Sequence, residues 1–417
     1  MAAAKRTERR AKPPLEYSIL YTATLCLLAA GAVMVYSASS AEALLANGDP
    51  AFYLKKYVMF GAVGLVAMHL ISRGGLKAVR NLTPPLLGIS FALTVAVMVP
   101  HVGITVNGAT RWLGAGPVQF QPSELLKVSL VLYAAGLLAV RPSRLESVRA
   151  LCRPLLMVVG AACLLLLKQP DMGTAMVICF STFALLVAAG VKMRHLGVIL
   201  LVLAVLALVF ALVEPYRRDR LLTFLHPWND AGKTGFQGVQ AMIALGSGGL
   251  FGVGLGESVQ KIFYLPEAHT DMILAIVGEE LGVMGISALA ALYGLIAYAG
   301  FRAAKAARDR YAKLLAAGMT SLILTQAALN FFAVLGMAPL TGVPLPFVSY
   351  GSSNLVVLLA AMGLVLNVAA NGGRAAARRP RRTLEAIEGG SDAGSDRGRR
   401  HRGARGARAG DRRRAAG

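Results

Sequence analysis

Long runs of apolar residues alternate with short polar gaps along most of the chain. A helix needs about 20 predominantly apolar residues to cross the hydrocarbon core of a bilayer. The runs of spanning length cover residues 17–37, 57–72, 85–102, 122–140, 154–168, 172–190, 196–213, 271–300, 314–336 and 350–370. The pattern predicts an all-α, polytopic membrane protein with about ten transmembrane helices.

The distribution of positive charge predicts how these helices are oriented. The 417 residues are 56% hydrophobic and carry a net charge of +22, with Lys and Arg gathered in the gaps at 73–80, 141–153, 192–194 and 302–313. Cytoplasmic loops are rich in Lys and Arg. We therefore expect a multi-pass protein of the bacterial inner membrane with both termini in the cytoplasm, and we expect no nucleic-acid partner. The four cysteines show neither metal-site nor disulfide spacing.

Three stretches fall outside the ten runs. Residues 1–16 form a basic cytoplasmic N-terminus, which we expect to precede an uncleaved first helix. Residues 214–270 form a long extracytoplasmic loop, in which 217–228 and 235–249 read as helices that lie in the membrane interface. Residues 371–417 form an Arg-rich, low-complexity cytoplasmic tail that we expect to be disordered.

A glycine-rich stretch ends the long loop. Residues 246–258 read GSGGLFGVGLGES, but no strand precedes them, so they are not a dinucleotide fingerprint. They indicate either close backbone packing or a hinge, or else a nest of backbone amides near a phosphate.

The sequence YLPEAHTDMILAIVGEELG, residues 264–282, places ionisable groups at the start of a long apolar helix. Ionisable residues inside a membrane are costly and mark functional sites. Asp271 and Glu279 are the candidates here, with His269 beside them. Asp271 has two interpretations, a catalytic carboxylate or an N-terminal cap of the helix.

A second polar group lies in residues 107–130. Gly and Pro make 107–122 a turn-rich loop, and Pro122 suits the first turn of the helix that follows. Glu124 and Lys127 lie one turn apart on one helix face, so they form either a neutralising pair that fixes packing or part of a site. Arg111 and Trp112 serve either as an interfacial anchor or as a cation and a stacking platform for a phosphorylated sugar.

Two further groups complete the set of candidates. Lys168, Gln169 and Asp171 lie where two helices meet, and Asp171 reads best as a helix cap. Residues 341–354, TGVPLPFVSYGSSN, form an extended polar segment that contains Ser349 and Tyr350. Irregular backbone at membrane depth must be buried in protein or line a cavity. All four groups fall on the outer side of the predicted topology, so we expect them to line one outward cavity.

The chain resembles the SEDS family (shape, elongation, division and sporulation proteins), the FtsW/RodA/SpoVE group. The matching motifs are RWLGAGPVQFQPSELLK (111–127), KQPDMGTA (168–175), GFQGVQAMIALGSGGLFGVGLGES (235–258), YLPEAHTDMILAIVGEELG (264–282) and PLTGVPLPFVSYG (339–351). They occur in family order and cover the membrane domain. One departure is Ser352, where the family usually has glycine, which restricts the backbone at that position.

The resemblance implies a peptidoglycan glycosyltransferase that polymerises lipid II and releases undecaprenyl pyrophosphate. It also implies a class B penicillin-binding transpeptidase as partner, within the divisome or the elongasome. The family's essential aspartate maps onto Asp271, as general base. The resemblance and the residue chemistry together give the following substrate-binding candidates: Arg111, Trp112, Gln121, Ser123, Glu124, Lys127, Lys168, Gln169, His269, Glu279, Ser349 and Tyr350.

Alternatives remain at the level of the sequence. The Pro-Glu-Ala-His-Thr-Asp form of 266–271 looks more like the FtsW branch than the RodA branch of cell elongation. A lipid II flippase and a non-enzymatic scaffold for the transpeptidase are the other classes. No cofactor is certain, and a divalent cation (Mg²⁺ or Mn²⁺) would assist the departure of pyrophosphate, although the sequence shows no obvious ligand set.

Overall fold

The computed structural model describes residues 13–106, 108–115, 118–140, 152–213, 223–232 and 235–377, which are mostly helical. The α-helices of these residues are α1 (Leu15–Asn47), α2 (Phe52–Arg73), α3 (Leu76–Ala96), α4 (Pro122–Val140), α5 (Met157–Lys168), α6 (Met172–Ala189), α7 (Met193–Val213), α8 (Phe236–Gly248), α9 (Ile273–Ala306), α10 (Arg310–Val334) and α11 (Ser352–Ala377). A π-helix at Cys152–Leu156 leads into α5, and a 3₁₀-helix lies at Pro227–Asp230.

Each of the ten predicted segments coincides with one helix of this set, and α8 is the additional helix of the long loop. In the part of the chain that is described, seven helices are long and apolar enough to cross a membrane: α1, α2, α4, α6, α9, α10 and α11. The remaining three, α3, α5 and α7, lie where crossings were predicted. The fold is therefore that of a helical multi-pass membrane protein, while the number of ten crossings stays a prediction.

The described part of the long loop includes the expected helix at 235–249, now α8. The first half of the predicted helix at 217–228, residues 217–222, falls outside the described residues, as do residues 1–12 of the N-terminus and 378–417 of the tail. α11 continues to Ala377, past the predicted end of the membrane domain at 370. Ser352 is its first residue, so the serine occupies an ordinary helical start rather than a strained turn.

A small antiparallel sheet replaces the turn-rich loop expected over 107–122. Strands β1 (Ile104–Val106), β2 (Ala109–Ala115) and β3 (Val118–Phe120) pair in that order. Gly108, with φ +74°, lies between the first two strands, in a conformation that suits glycine. The all-α prediction is thus correct for the membrane domain and missed this short sheet, in which two of the three strands have only three residues and give no hydrophobic periodicity.

Helix α9 is broken at Gly282, where φ is +66° and ψ is −163°. The glycine-rich stretch packs backbone against backbone there. Val253 and Gly254 donate to the carbonyls of Glu279 and Glu280, at 2.9 and 3.1 Å. Beyond the break, the next two amides of α9 donate back to the carbonyls of residues 249 and 250. The packing interpretation of residues 246–258 is confirmed.

The interior of the bundle is formed by α1, α4, α6, α9, α10 and α11. α1 packs along α9, and α10 packs on α4, α6 and α9. Nearly every residue of α9 before the break is buried, including both glutamates. This first part of α9 carries Asp271 at its start, so the packing of α9 fixes where that carboxylate lies.

Candidate active site

Asp271 lies two residues before α9 and is half-buried. The Thr270 hydroxyl lies 3.3 Å from its carboxylate, and the Asn330 amide donates to its main-chain carbonyl at 2.7 Å. The N-cap of α9 is Met272, which makes no side-chain cap bond. The capping interpretation of Asp271 is therefore wrong. Its carboxylate faces Gly342, where a Cβ would lie 3.8 Å from it.

His269 packs in an aromatic cluster beside Asp271. Its ring lies 4.3 Å from the Tyr53 ring and 5.7 Å from the Tyr350 ring, measured between centroids. Its carbonyl accepts a hydrogen bond from the Tyr350 amide at 3.0 Å. Burial lowers the pKa of His269, against the opposite effect of Glu42 and Glu267, so the imidazole is neutral at pH 7.

The extended segment 341–349 is held by two amide side chains of α10. Gln326 donates to the Pro344 carbonyl at 2.9 Å, and Asn330 donates to the Val343 carbonyl at 2.8 Å. The Ser349 hydroxyl accepts from the Leu345 amide at 2.8 Å, so it serves this segment's own backbone. The irregular backbone expected here is thus buried and satisfied by protein groups, as a membrane setting requires.

Glu124 and Lys127 form a buried ion pair on α4. Their charged atoms lie 3.0 Å apart, and the side chains are 3% and 1% exposed. Lys127 also donates to Gln326 at 2.7 Å, and Asn354 of α11 donates to Glu124 at 2.7 Å. The pair ties three helices together, as the packing interpretation predicts. Lys127 as a direct contact of a leaving pyrophosphate is not supported, because its ammonium is enclosed by these partners.

The sheet and the α5–α6 turn bring the next candidates together. The Arg111 guanidinium donates to the carbonyls of Gln169, at 3.1 Å, and Pro170. Asp171 caps α6 by accepting from the Thr174 amide at 3.2 Å, as predicted. Trp112 lies half-buried opposite Ile104 in the sheet.

The other oxygen of the Asp171 carboxylate meets the start of α4. The Gln121 amide and the Ser123 hydroxyl lie 3.3 and 3.4 Å from it. The Gln169 side chain turns the other way and donates to the Thr94 carbonyl at 2.6 Å. Gln121, Ser123 and Asp171 therefore form one cluster, whereas the Gln169 side chain serves α3.

Lys168 is exposed and borders a cleft of about 380 Å³ between the end of α3 and the sheet. His101, Thr105, Thr110 and Gln169 also line this cleft, and Asp271 is not among its lining residues. This cleft brings Lys168 and Gln169 together, whereas the Asp271 carboxylate faces the 341–349 segment at Gly342, and the single outward cavity expected from the sequence stays a prediction.

Glu279 contacts the long loop rather than a cation. It accepts hydrogen bonds from the Ser258 hydroxyl and from the Val259 amide, the latter at 3.1 Å. The buried cation pairs instead with its neighbour, since Lys261 lies 2.9 Å from Glu280. The Glu280 carboxylate also accepts from the Ser37 hydroxyl of α1 at 2.6 Å.

The sequence interpretation missed four partners that hold these candidates in place: Ser37, Lys261, Gln326 and Asn330. Two signals were present. Gln326 and Asn330 are amides four residues apart in an apolar helix, and so share one face. Lys261 is the only Lys or Arg between 236 and 301.

The fold and the site together define the class: a polytopic helical membrane protein whose polar site lies at one end of its bundle. The chain belongs to the FtsW/RodA/SpoVE family, whose model, described as "Cell cycle protein", matches residues 18–373.

Relatives and solved structures agree with this assignment. The chain is 38% identical over 362 residues to stage V sporulation protein E of Bacillus subtilis, covering 87% of this chain and 98% of the relative. It is 42% identical over 357 residues to a probable peptidoglycan glycosyltransferase FtsW of Thioalkalivibrio sulfidiphilus, covering 84% and 88%.

Two solved structures share its fold at 30% identity. One is described as "Structural coordination of polymerization and crosslinking by a peptidoglycan synthase complex" and superposes with a TM-score of 0.69, covering 85% of this chain and 97% of the other. The other is the rod shape determining protein RodA of Thermus thermophilus, with a TM-score of 0.61 and coverage of 84% and 95%.

Proposed function

We propose that this chain is a peptidoglycan glycosyltransferase that polymerises lipid II into glycan strands. The observation that carries the assignment is the position of Asp271. Its carboxylate is half-buried at the end of the bundle that the charge pattern places outside, in a family whose relatives include probable peptidoglycan glycosyltransferases. Lipid-linked sugars meet the protein at that membrane face.

In the proposed reaction, the 4-hydroxyl of one lipid-linked disaccharide attacks the anomeric carbon of another. A carbon–oxygen bond forms there while the bond from that carbon to the pyrophosphate breaks. Asp271 accepts the hydroxyl proton, a role worth about 10²–10⁴-fold in rate. Undecaprenyl pyrophosphate leaves with the bonding electron pair.

The charge that develops on the leaving pyrophosphate needs cations near its path. Arg111 and Lys168 are partly or fully exposed, so they remain available for this role. Lys127 is enclosed and acts through packing instead. In this proposal Trp112 and Gln121 line the sugar site beside them, and Ser123, which is buried, acts through its contact with Asp171. Tyr350 belongs to the His269 cluster near Asp271.

The described residues bring together no group of three His, Cys, Asp or Glu side chains that would hold a metal ion. Mg²⁺ is often held by one or two carboxylates together with substrate phosphates, so assistance by a divalent cation stays a prediction from the sequence, and the proposed mechanism is written without it. His269, whose imidazole is neutral at pH 7, is the alternative general base. Its substitution can be tested in the same assay.

We propose a class B penicillin-binding transpeptidase as partner, within the divisome. The relatives named FtsW and the solved peptidoglycan synthase complex support this choice, whereas the similarity to RodA keeps an elongation role as the alternative. The charge pattern supports an inner-membrane location with both termini in the cytoplasm.

The test is polymerisation of purified lipid II, followed on gels, with the partner present. We expect Asp271→Asn to fold and to bind the partner but to make no glycan chains. Asp49→Asn, an exposed carboxylate in the turn between α1 and α2, is the matched control and should retain activity. Polymerisation by Asp271→Asn at the wild-type rate would refute the role of Asp271 as general base. Transfer of lipid II across liposomes without its consumption would indicate a flippase instead.

A further inference from the structure

Residues 250–264 of the long loop expose apolar side chains and bury polar ones. The most exposed large side chains are Leu250, Phe251, Leu255, Val259, Phe263 and Tyr264, between 53% and 78% exposed. We call these six side chains the apolar ridge. A loop in water shows the opposite pattern, so the ridge marks an interaction surface.

The polar side chains of the same residues point into the protein. Ser258 donates to Glu279, and Lys261 is bound by Glu280 at 2.9 Å and by the Gly256 carbonyl at 2.6 Å. The ammonium group of Lys261 is thus withdrawn from the surface that carries the ridge. Glu257 is the exposed ionisable residue of this stretch, at a turn.

The backbone of this stretch is also suited to an apolar environment. Its amides at 253 and 254 donate to α9, and its carbonyls at 249 and 250 accept from α9 across the break at Gly282. Backbone groups that approach hydrocarbon must be satisfied within the protein. The irregular turn therefore avoids the penalty that an unpaired loop would incur there.

The length of helix α1 gives the distance of the apolar ridge from the cytoplasmic end of the bundle. Glu16 pairs with Arg302 at 3.2 Å near that end, and Ser37 of the same helix binds Glu280. From Glu16 to Ser37 the helix rises about 31 Å at 1.5 Å per residue. The hydrocarbon core is about 30 Å thick, so the Ser37 level marks its outer edge.

The length of helix α10 gives a second, independent distance from the cytoplasmic end to the outer end of the bundle. From Arg310 to Asn330, which binds the Asp271 carbonyl, the helix rises about 30 Å. Asn330 therefore lies about one hydrocarbon-core thickness from the start of α10.

We propose that the apolar ridge inserts into the outer leaflet at the boundary between headgroups and acyl chains, and that its partner is bilayer lipid. Apolar side chains that lie in this interface are buried about 5–10 Å, and aromatic residues such as Phe251, Phe263 and Tyr264 favour it. The ridge is continuous with Val283 and Met284 on the lipid-facing side of α9. The inference rests on the membrane orientation and not on the proposed reaction.

The experiment uses the full chain in liposomes with its four native cysteines replaced by alanine. A nitroxide label is attached at Phe251→Cys or Phe263→Cys, and its collision rates with oxygen and with a water-soluble nickel complex are measured. Leu295→Cys, exposed on the middle of α9, is the lipid control. Leu45→Cys is the water control, because this exposed residue lies eight residues beyond Ser37.

We expect the oxygen-to-nickel ratio at positions 251 and 263 to be several-fold above that at 45 and below that at 295. A ratio equal to that at 45 would overturn the proposal, because the ridge would then lie in water. Exclusion of both reagents would also overturn it, since protein rather than lipid would cover the ridge. The polymerisation assay of Asp271→Asn tests only the proposed function. Failure of the proposed function and failure of this inference are therefore distinguishable.

Discussion

The Lys261 ammonium lies 2.9 Å from the Glu280 carboxylate and 3.1 Å from the Ser37 hydroxyl. This contact joins the long loop, the first part of α9 and α1 at one buried point, where Lys261 is 8% exposed and Glu280 is fully buried. The part of α9 that follows Asp271 is thereby attached to a helix that spans the bundle.

Removal of the cation alone should destabilise the protein strongly. Lys261→Met leaves the Glu280 charge buried without a partner, which typically costs about 3–5 kcal/mol. We expect a clear drop in melting temperature in detergent, measured by intrinsic fluorescence. Lys55→Met removes an exposed pair with Asp49 and should change little.

The double variant Lys261→Met/Glu280→Gln separates charge from packing. It removes both charges, so it should melt above Lys261→Met. Equal melting temperatures for the single and double variants would show that the uncompensated carboxylate is not the cause of the loss.

Gly282→Ala should damage both stability and polymerisation. The residue has φ +66°, and a Cβ there would lie 2.5 Å from the Gly252 nitrogen and from the Leu250 oxygen. The backbone must shift, which would displace the part of α9 that holds Asp271. Gly294→Ala is the matched control on the same helix, because a Cβ there meets nothing within 4 Å. Similar gel activity for both variants would contradict the role of the break.

Substitutions in the Glu124–Lys127 pair on α4 distinguish a role in packing from a role in substrate binding. Lys127→Met leaves the Glu124 charge buried without its cation, so it should lower the melting temperature, as Lys261→Met does for Glu280. Lys127→Met/Glu124→Gln keeps an acceptor for Asn354, so it should fold and retain polymerisation. A double variant that is folded and inactive would show that the ammonium contacts substrate.

Acidification should weaken the fold through His269. Burial places its folded pKa below the unfolded value of about 6.5, so the unfolded state binds more protons below that pH. Stability contributed by the neutral ring is complete above about pH 6.5 and falls as the pH decreases below it. We expect His269→Gln to lose less melting temperature than wild type between pH 7.5 and 5.5. Identical losses would exclude His269 as the titrating group.

Hydropathy predicted the positions of the helices because it reports where the chain meets lipid. It placed the end of the first span at 37, whereas α1 continues to Asn47. The residues after position 37 lie beyond the predicted apolar span and need not be apolar, but they continue the helix. The spacing of Glu124 and Lys127 predicted their pairing because both lie on one helix, where geometry is known in advance.

The contacts between distant segments were beyond the sequence. Lys261 and Glu280 are separated by a loop whose path no local pattern fixes. The break at Gly282 forms where the backbone of residues 249–254 approaches α9, a contact that no local sequence pattern indicates.

The main-chain bonds at the Gly282 break have a consequence for how movement of the long loop would reach the start of α9. A protein that pulls on or pushes this loop would move the first part of α9, which follows Asp271, through peptide groups and without relying on any side chain in between. Surface substitutions in the loop would then alter how strongly such a regulator binds, while the mechanical transmission toward Asp271 would persist.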